Sequence, residues 1–203
     1  MITNDCVNER INSYIKDITG ALNNLYLEHD VYKVIYRLMA AYESGKKVIT
    51  FGNGGSGCLA SHLVQDLAKH TIISNDKTTA VTAKRFRAMC LNESIATMTT
   101  WANDVDYSKV FSEQLINWCE SGDVVIGITG SGNTKNVIEA LEVAKKMGAT
   151  AIAFTGGTGG RTKEVAEISL IVKTNNFYAV EDVLQCVVHI ITDILRDRIQ
   201  GRL

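Results

Sequence analysis

With 203 residues the chain is long enough to bury a substantial core, and no proline- or serine-rich linker, charge block or internal repeat divides it. Its 21 basic and 22 acidic residues almost cancel, which argues against a nucleic-acid surface and leaves any electrostatics local. Five cysteines (Cys6, Cys58, Cys90, Cys119, Cys186) show no CxxC pair or zinc-like spacing, MITNDCVNER has no apolar signal core, and no run is long enough to cross a bilayer. A reduced cytoplasmic setting is therefore expected, with neither nucleic acid nor membrane as partner.

Between residues 5 and 28, Ile11, Tyr14, Ile15, Ile18, Leu22, Leu25 and Tyr26 fall on one helical stripe, and Val31 to Tyr42 repeats the pattern. Two amphipathic helices with nothing upstream to pack on are expected to offer apolar surface to a partner subunit. Residues 1–45 are accordingly read as an N-terminal helical region for oligomer contacts, and 46–203 as the rest of a single domain. Strands are predicted at Val48–Phe51, Ala80–Ala83, Val124–Ile128, Ala151–Phe154 and Ile168–Val172, and helices near 57–70, 93–102, 106–119 and 134–147. A last helix, Val180–Ile199, carries buried-type residues at Val183, Leu184, Val187, Val188, Ile190, Ile191, Ile194 and Leu195. The alternation predicts an α/β fold, a doubly wound, mostly parallel sheet of about five strands with helices on both faces. Ligands of such sheets bind at the carboxyl ends of the strands.

Two loops carry the chemical signal. Lys47 to Ser56 runs a strand into the turn Gly52-Asn53-Gly54-Gly55-Ser56 and then a helix, a design that aims backbone N–H groups at an anion. Gly52, Gly54 and Gly57 also satisfy a dinucleotide fingerprint, with Asp76 near the place of a ribose-binding acid. The stretch from Lys69 to Thr78 is too polar for the firm second strand that such a site needs, so no nucleotide cofactor is expected. Asp123 to Thr134 repeats the strand–loop–helix design with hydroxyls: Thr129, Ser131 and Thr134 are placed to donate to phosphate oxygens, while Gly130 and Gly132 admit the backbone. A third cluster, Thr155 to Gly160, has fewer directed groups and is read as structural. Lys84, Arg85 and Arg87 read as a solvated face rather than an aid to the phosphate, and Cys58 reads equally as a thiol activated at a helix start or as small-residue packing.

The segments FGNGGS, NDVDYSKVFSEQL and GITGSGNTKNVI, with their spacing and the last helix bearing Gln185, resemble the SIS (sugar isomerase) family, in its phosphoheptose isomerase branch, from about residue 45 to 198. The resemblance implies a single SIS domain that interconverts sedoheptulose 7-phosphate and D-glycero-D-manno-heptose 7-phosphate on the way to activated heptoses for surface glycans. It also implies a homotetramer with sites at subunit interfaces and a divalent metal, zinc first. Carried over by position, it puts Asn53, Gly54, Gly55 and Ser56 on the sugar, Asn103 and Asp104 on its hydroxyls, and Thr129, Gly130, Ser131 and Thr134 on the phosphate. His62 matches a metal-binding histidine, and Gln185 a glutamine that serves substrate and metal. Two positions depart: Asp66 stands where the family has a glutamate, and Asp193 where it has a histidine.

An aldose–ketose isomerisation passes through an enediol and needs a base at the C1/C2 edge and a group that polarises the oxygens. Asp66, four residues after His62 on one helix face, is the base candidate. Asp193 is its expected partner, or His189, since Gln185, His189 and Asp193 are spaced four apart on one stripe; His189 reads equally as a core histidine. The expected metal set is His62, Asp66, Gln185 and Asp193. A non-catalytic SIS module that binds a sugar phosphate or a protein, like the resembling initiator-associating protein, and an epimerase are the alternatives.

Overall fold

The computed structural model describes residues 3–25, 30–72 and 83–203. Asp76 and most of the expected strand Ala80–Ala83 lie outside them. Helices α1 (Asn4–Leu25) and α2 (Asp30–Ser44) precede β1 (Lys47–Gly52), α3 (Gly55–Gln65) and a π-turn at Asp66–His70. Then follow β2 (Arg87–Cys90), α4 (Ile95–Asp104), a short turn of 3₁₀ helix at Tyr107–Lys109, α5 (Ser112–Trp118), β3 (Val124–Thr129) and α6 (Lys135–Lys146). The chain closes with β4 (Thr150–Gly156), α7 (Thr162–Val165), β5 (Ile168–Val172) and α8 (Phe177–Ile199).

All strand pairs are parallel and the order is β2-β1-β3-β4-β5. The direction of winding reverses at β1, so the crevice between the carboxyl ends of β1 and β3 is the topological switch point. Gly52 pairs with Ile128 in that register, which sets the two glycine-rich loops side by side.

Strand side chains alternate between two cores, as a sheet covered on both faces requires. Val48, Ile126, Ile128, Ile152 and Phe154 face the layer of α1, α2, α3 and α8. Ile49, Phe51, Val125, Ala151 and Ala153 face the layer of α5 and α6, where the Phe51 and Phe111 rings stack with centroids 5.0 Å apart. Helix α1 is held to α8 by polar ties: the Tyr14 hydroxyl donates to Asp182 Oδ2 at 2.5 Å, and Asn176 Nδ2 donates to Asp17 Oδ2 at 2.9 Å.

The second strand among the described residues lies later in the chain than the expected one. It lies at Arg87–Cys90, while Ala83 sits in a bend. Lying at the sheet edge, β2 tolerates an exposed Arg87, and its short apolar run from Ala88 to Leu91 has no β-branched residue to mark it as a strand. The basic cluster folds onto the end of α2, with Lys84 Nζ donating to the Glu43 carbonyl at 3.0 Å and Arg87 Nη1 to the Gly45 carbonyl at 3.0 Å.

Candidate active site

The second loop forms a small cradle. Asn53, Ser56, Ile128, Thr129, Gly130, Ser131, Thr134 and Phe177 line a cavity of about 150 Å³ at the switch point. The Thr129 and Thr134 hydroxyls meet across it at 2.7 Å. Thr134 is the N-cap residue of α6, but its side chain makes no capping bond, so the first amides of α6 remain available to an anion.

Two glycines in this loop are required by their surroundings. A Cβ on Gly130 would collide with the Phe177 ring, and Gly132 has φ 68° and lies against the Gly159 carbonyl. The third glycine cluster thus has a definite task. The Gly130 and Gly132 carbonyls accept from the Gly156 and Thr162 amides at 3.1 and 2.9 Å, and Asn133 Oδ1 accepts from the Arg161 amide at 3.1 Å, so the cluster braces the cradle from behind.

The first loop is also braced. Asn92 accepts from the Gly52 amide at 3.2 Å and donates to its carbonyl at 2.8 Å. Asn53 exchanges hydrogen bonds with Asn136 and accepts from the Tyr107 hydroxyl at 2.8 Å. Gly54 caps α3 without a side-chain bond, and the Glu181 carboxylate lies against Gly55 there. Asn103 and Asp104 stand exposed at the end of α4, with Asn103 Nδ2 donating to Asp104 Oδ1 at 2.8 Å. They line neither of the cavities described here.

Further along α3, a second cavity of about 580 Å³ is lined by His62, Asp66, His70, His189, Ile190, Thr192, Asp193 and Arg196. His62 Nε2 lies 3.1 Å from His189 Nε2 and 3.4 Å from Asp66 Oδ2, and His189 Nε2 lies 4.0 Å from that same oxygen. Gln185 Nε2 is 3.0 Å from His189 Nε2. Helices α3 and α8 run side by side in one direction, since Gly55 meets Glu181 and His62 meets His189.

Three donors, two imidazole nitrogens and a carboxylate oxygen, therefore converge within 4.8 Å of one another. Zinc bonds of about 2.0–2.2 Å in a tetrahedron put neighbouring donors roughly 3.4 Å apart, and the separations of 3.1, 3.4 and 4.0 Å bracket that value. The donors fit a zinc-type ion with a position left open. Gln185 is adjacent, and rotation of its amide would turn its oxygen toward the group.

The structure does not bring Asp193 into this group. Its carboxylate pairs with Arg196 and is largely exposed. The reason is helical rise: Asp193 lies one turn, about 6 Å, beyond His189, whereas His189 is level with His62. His70, Phe177, Glu181, Tyr107 and Asn92 are site-lining or bracing residues that the sequence pattern did not single out.

An SIS domain family model matches residues 13–156. A protein of Thermoplasma acidophilum named "probable phosphoheptose isomerase" is 35% identical over 185 residues, covering 91% of this chain and 97% of that protein. The phosphoheptose isomerase of Thermodesulfovibrio yellowstonii is 34% identical over 178 residues, covering 86% of this chain and 81% of the relative. Among solved structures, a phosphoheptose isomerase from Francisella tularensis superposes with a TM-score of 0.81 at 26% identity, covering 96% of this chain and 98% of that one.

Proposed function

The chain belongs to the SIS domain family, and from that premise we propose that it is an aldose–ketose isomerase that interconverts sedoheptulose 7-phosphate and D-glycero-D-manno-heptose 7-phosphate. One observation carries the reading. A hydroxyl-lined anion cradle at the carboxyl ends of the strands and a His/His/Asp group further along α3 and α8 stand on the same pair of parallel helices.

The phosphate is held by the Thr129, Ser131 and Thr134 hydroxyls and the amides at the start of α6, with Phe177 as a wall. Asn53, Gly54, Gly55 and Ser56 face the sugar, and Asn103 and Asp104 meet its hydroxyls once the ligand or a neighbouring subunit approaches. Asp66 is the base that takes the proton at the C1/C2 edge and returns it to the adjacent carbon. Of its two candidate partners, the geometry favours His189, which stands beside Asp66 Oδ2 and is oriented by Gln185. Asp193 remains at the cavity rim, neutralised by Arg196.

His62, Asp66 and His189, with Gln185 beside them, would hold a divalent ion, zinc first. Such an ion would polarise the carbonyl and enediol oxygens. The chain works as a homotetramer in the cytoplasm, supplying activated heptose synthesis. Exposed Val7, Ile11 and Ile15 on α1 and Tyr32 and Tyr36 on α2 support the assembly, and five unpaired cysteines support the compartment.

Incubation with sedoheptulose 7-phosphate in D₂O, with and without added zinc, tests the reaction. Deuterium at C2 of an aldose product is expected. Tight binding with no exchange under either condition would instead leave a sugar-phosphate-binding module.

A further inference from the structure

The side chain of Asp66 is 2% exposed, yet it faces three imidazoles that are each far more open. Two of these approach Oδ2. The third, His70, lies on the other side: its Nδ1 is 2.8 Å from Asp66 Oδ1. An ionised carboxylate only accepts, so in this contact Nδ1 carries the hydrogen and donates. The two oxygens of Asp66 are thereby divided, Oδ1 to His70 and Oδ2 to His62 and His189.

The local backbone makes this division. Regular helix ends at Gln65, and Asp66–His70 is a π-turn. A π-turn has i→i+5 bonding, and in this one His70, four residues on, lies against Asp66. Helical π-turns are concentrated at functional sites. Thr71 fastens the end of this one, its hydroxyl donating to the Leu67 carbonyl at 2.7 Å. Aspartate has one side-chain torsion fewer than glutamate, so once Oδ1 is tied the direction of Oδ2 is set.

We infer that His70 is a positioning residue that, by donating from Nδ1 to Asp66 Oδ1, presents Oδ2 as a single ligating and proton-accepting oxygen to the His62/His189 group. The inference rests on the isomerase and metal reading given above, and nothing requires His70 to touch substrate. Hydrogen-bonded partners of this kind typically carry about 10–100-fold in metal affinity or activity.

The test uses the full chain without substrate. Zinc affinity is measured by competition with a chromophoric chelator for wild type, His70→Ala and His70→Asn, with far-UV circular dichroism and thermal unfolding as fold controls. Asparagine keeps an N–H close to the Nδ1 position. His70→Ala is expected to weaken zinc binding about 10–100-fold, and His70→Asn to recover most of it. In the exchange assay, kcat should fall in His70→Ala with KM nearly unchanged. Wild-type affinity in His70→Ala, a His70→Asn as weak as His70→Ala with the fold intact, or a wild-type chain that binds no zinc would each overturn the inference. If the zinc pattern holds but no sugar phosphate is exchanged, the positioning role stands and the proposed reaction falls.

Discussion

At the scale of single residues the decisive question is how Asp66 and Asp193 divide the roles that the sequence left open. Asp66 is buried and surrounded by imidazoles, whereas Asp193 is exposed and paired with Arg196. Asp66→Asn is therefore expected to lower solvent-deuterium exchange by roughly 10²–10⁴-fold, the usual contribution of a positioned acid or base. Asp193→Asn should stay within a few-fold of wild type. The reverse ranking in the same assay would move the base to α8. A second prediction concerns Gly130, whose missing Cβ leaves room for the Phe177 ring. Gly130→Ala must push that ring aside and disturb the cradle, so KM for the sugar phosphate should rise while zinc affinity is unchanged. Equilibrium binding of the phosphorylated ligand checks the first half and chelator competition the second. The residues of the two loops were legible because glycine and hydroxyl positions follow directly from what a phosphate requires. His70 and Phe177 were not, because a histidine at the end of a helix and an aromatic at the start of one look alike whether they face a site or solvent.

At the scale of elements, the strands with both faces buried announced themselves through β-branched apolar runs, and β2 did not, because at the sheet edge its run is only Ala88 to Leu91 and has no β-branched residue. The π-turn left no signal in the residue pattern, which continues at helical spacing through Asp66 to His70. Core packing at β1 is testable: Phe51 is fully buried and stacked on Phe111, so Phe51→Ala should cost roughly 3–5 kcal/mol of unfolding free energy in denaturant titration. The docking of α1 is instead pH-dependent. The hydrogen bond to Asp182 and that residue's negative charge raise the Tyr14 phenol to about 12 from its ordinary value near 10. Because the folded chain holds this proton more tightly than the unfolded one, the contribution is complete below pH 10 and is lost as pH rises through about 12. The protection of the α1 amides against hydrogen exchange, taken relative to the intrinsic base-catalysed rate, should fall over that interval, and Tyr14→Phe should remove that fall.

At the scale of the whole molecule, the five cysteines separate by burial. Cys6 and Cys58 are exposed, whereas Cys90 and Cys119 are buried, and burial pushes the Cys119 thiol up to about 11. Alkylation of the native protein near neutral pH should label Cys6 and Cys58 and spare Cys90 and Cys119 until the chain unfolds, as peptide mass mapping would show. Labelling of Cys119 at the rate of Cys58 would contradict the packing of α5 against β3. Fold class was the most legible property of all, since strand–helix alternation constrains it redundantly, while the proposed assembly rests on a surplus of exposed apolar residues on α1 and α2. Among the described residues no helix is long and apolar enough to cross a membrane.

The parallel course of α3 and α8 has one more consequence. From Gly55 beside Glu181 to His62 beside His189 is seven residues of α3, about 10 Å at ~1.5 Å per residue. If the sugar phosphate is anchored at one end and reacts at the other, as proposed, the helix pair becomes a gauge, graduated by its own rise. A sugar phosphate too short for the span can lodge its phosphate but leaves its carbonyl end stranded. It should compete for the site and go unexchanged. Substrate length would then be recorded in the helical register rather than in any residue that touches the sugar.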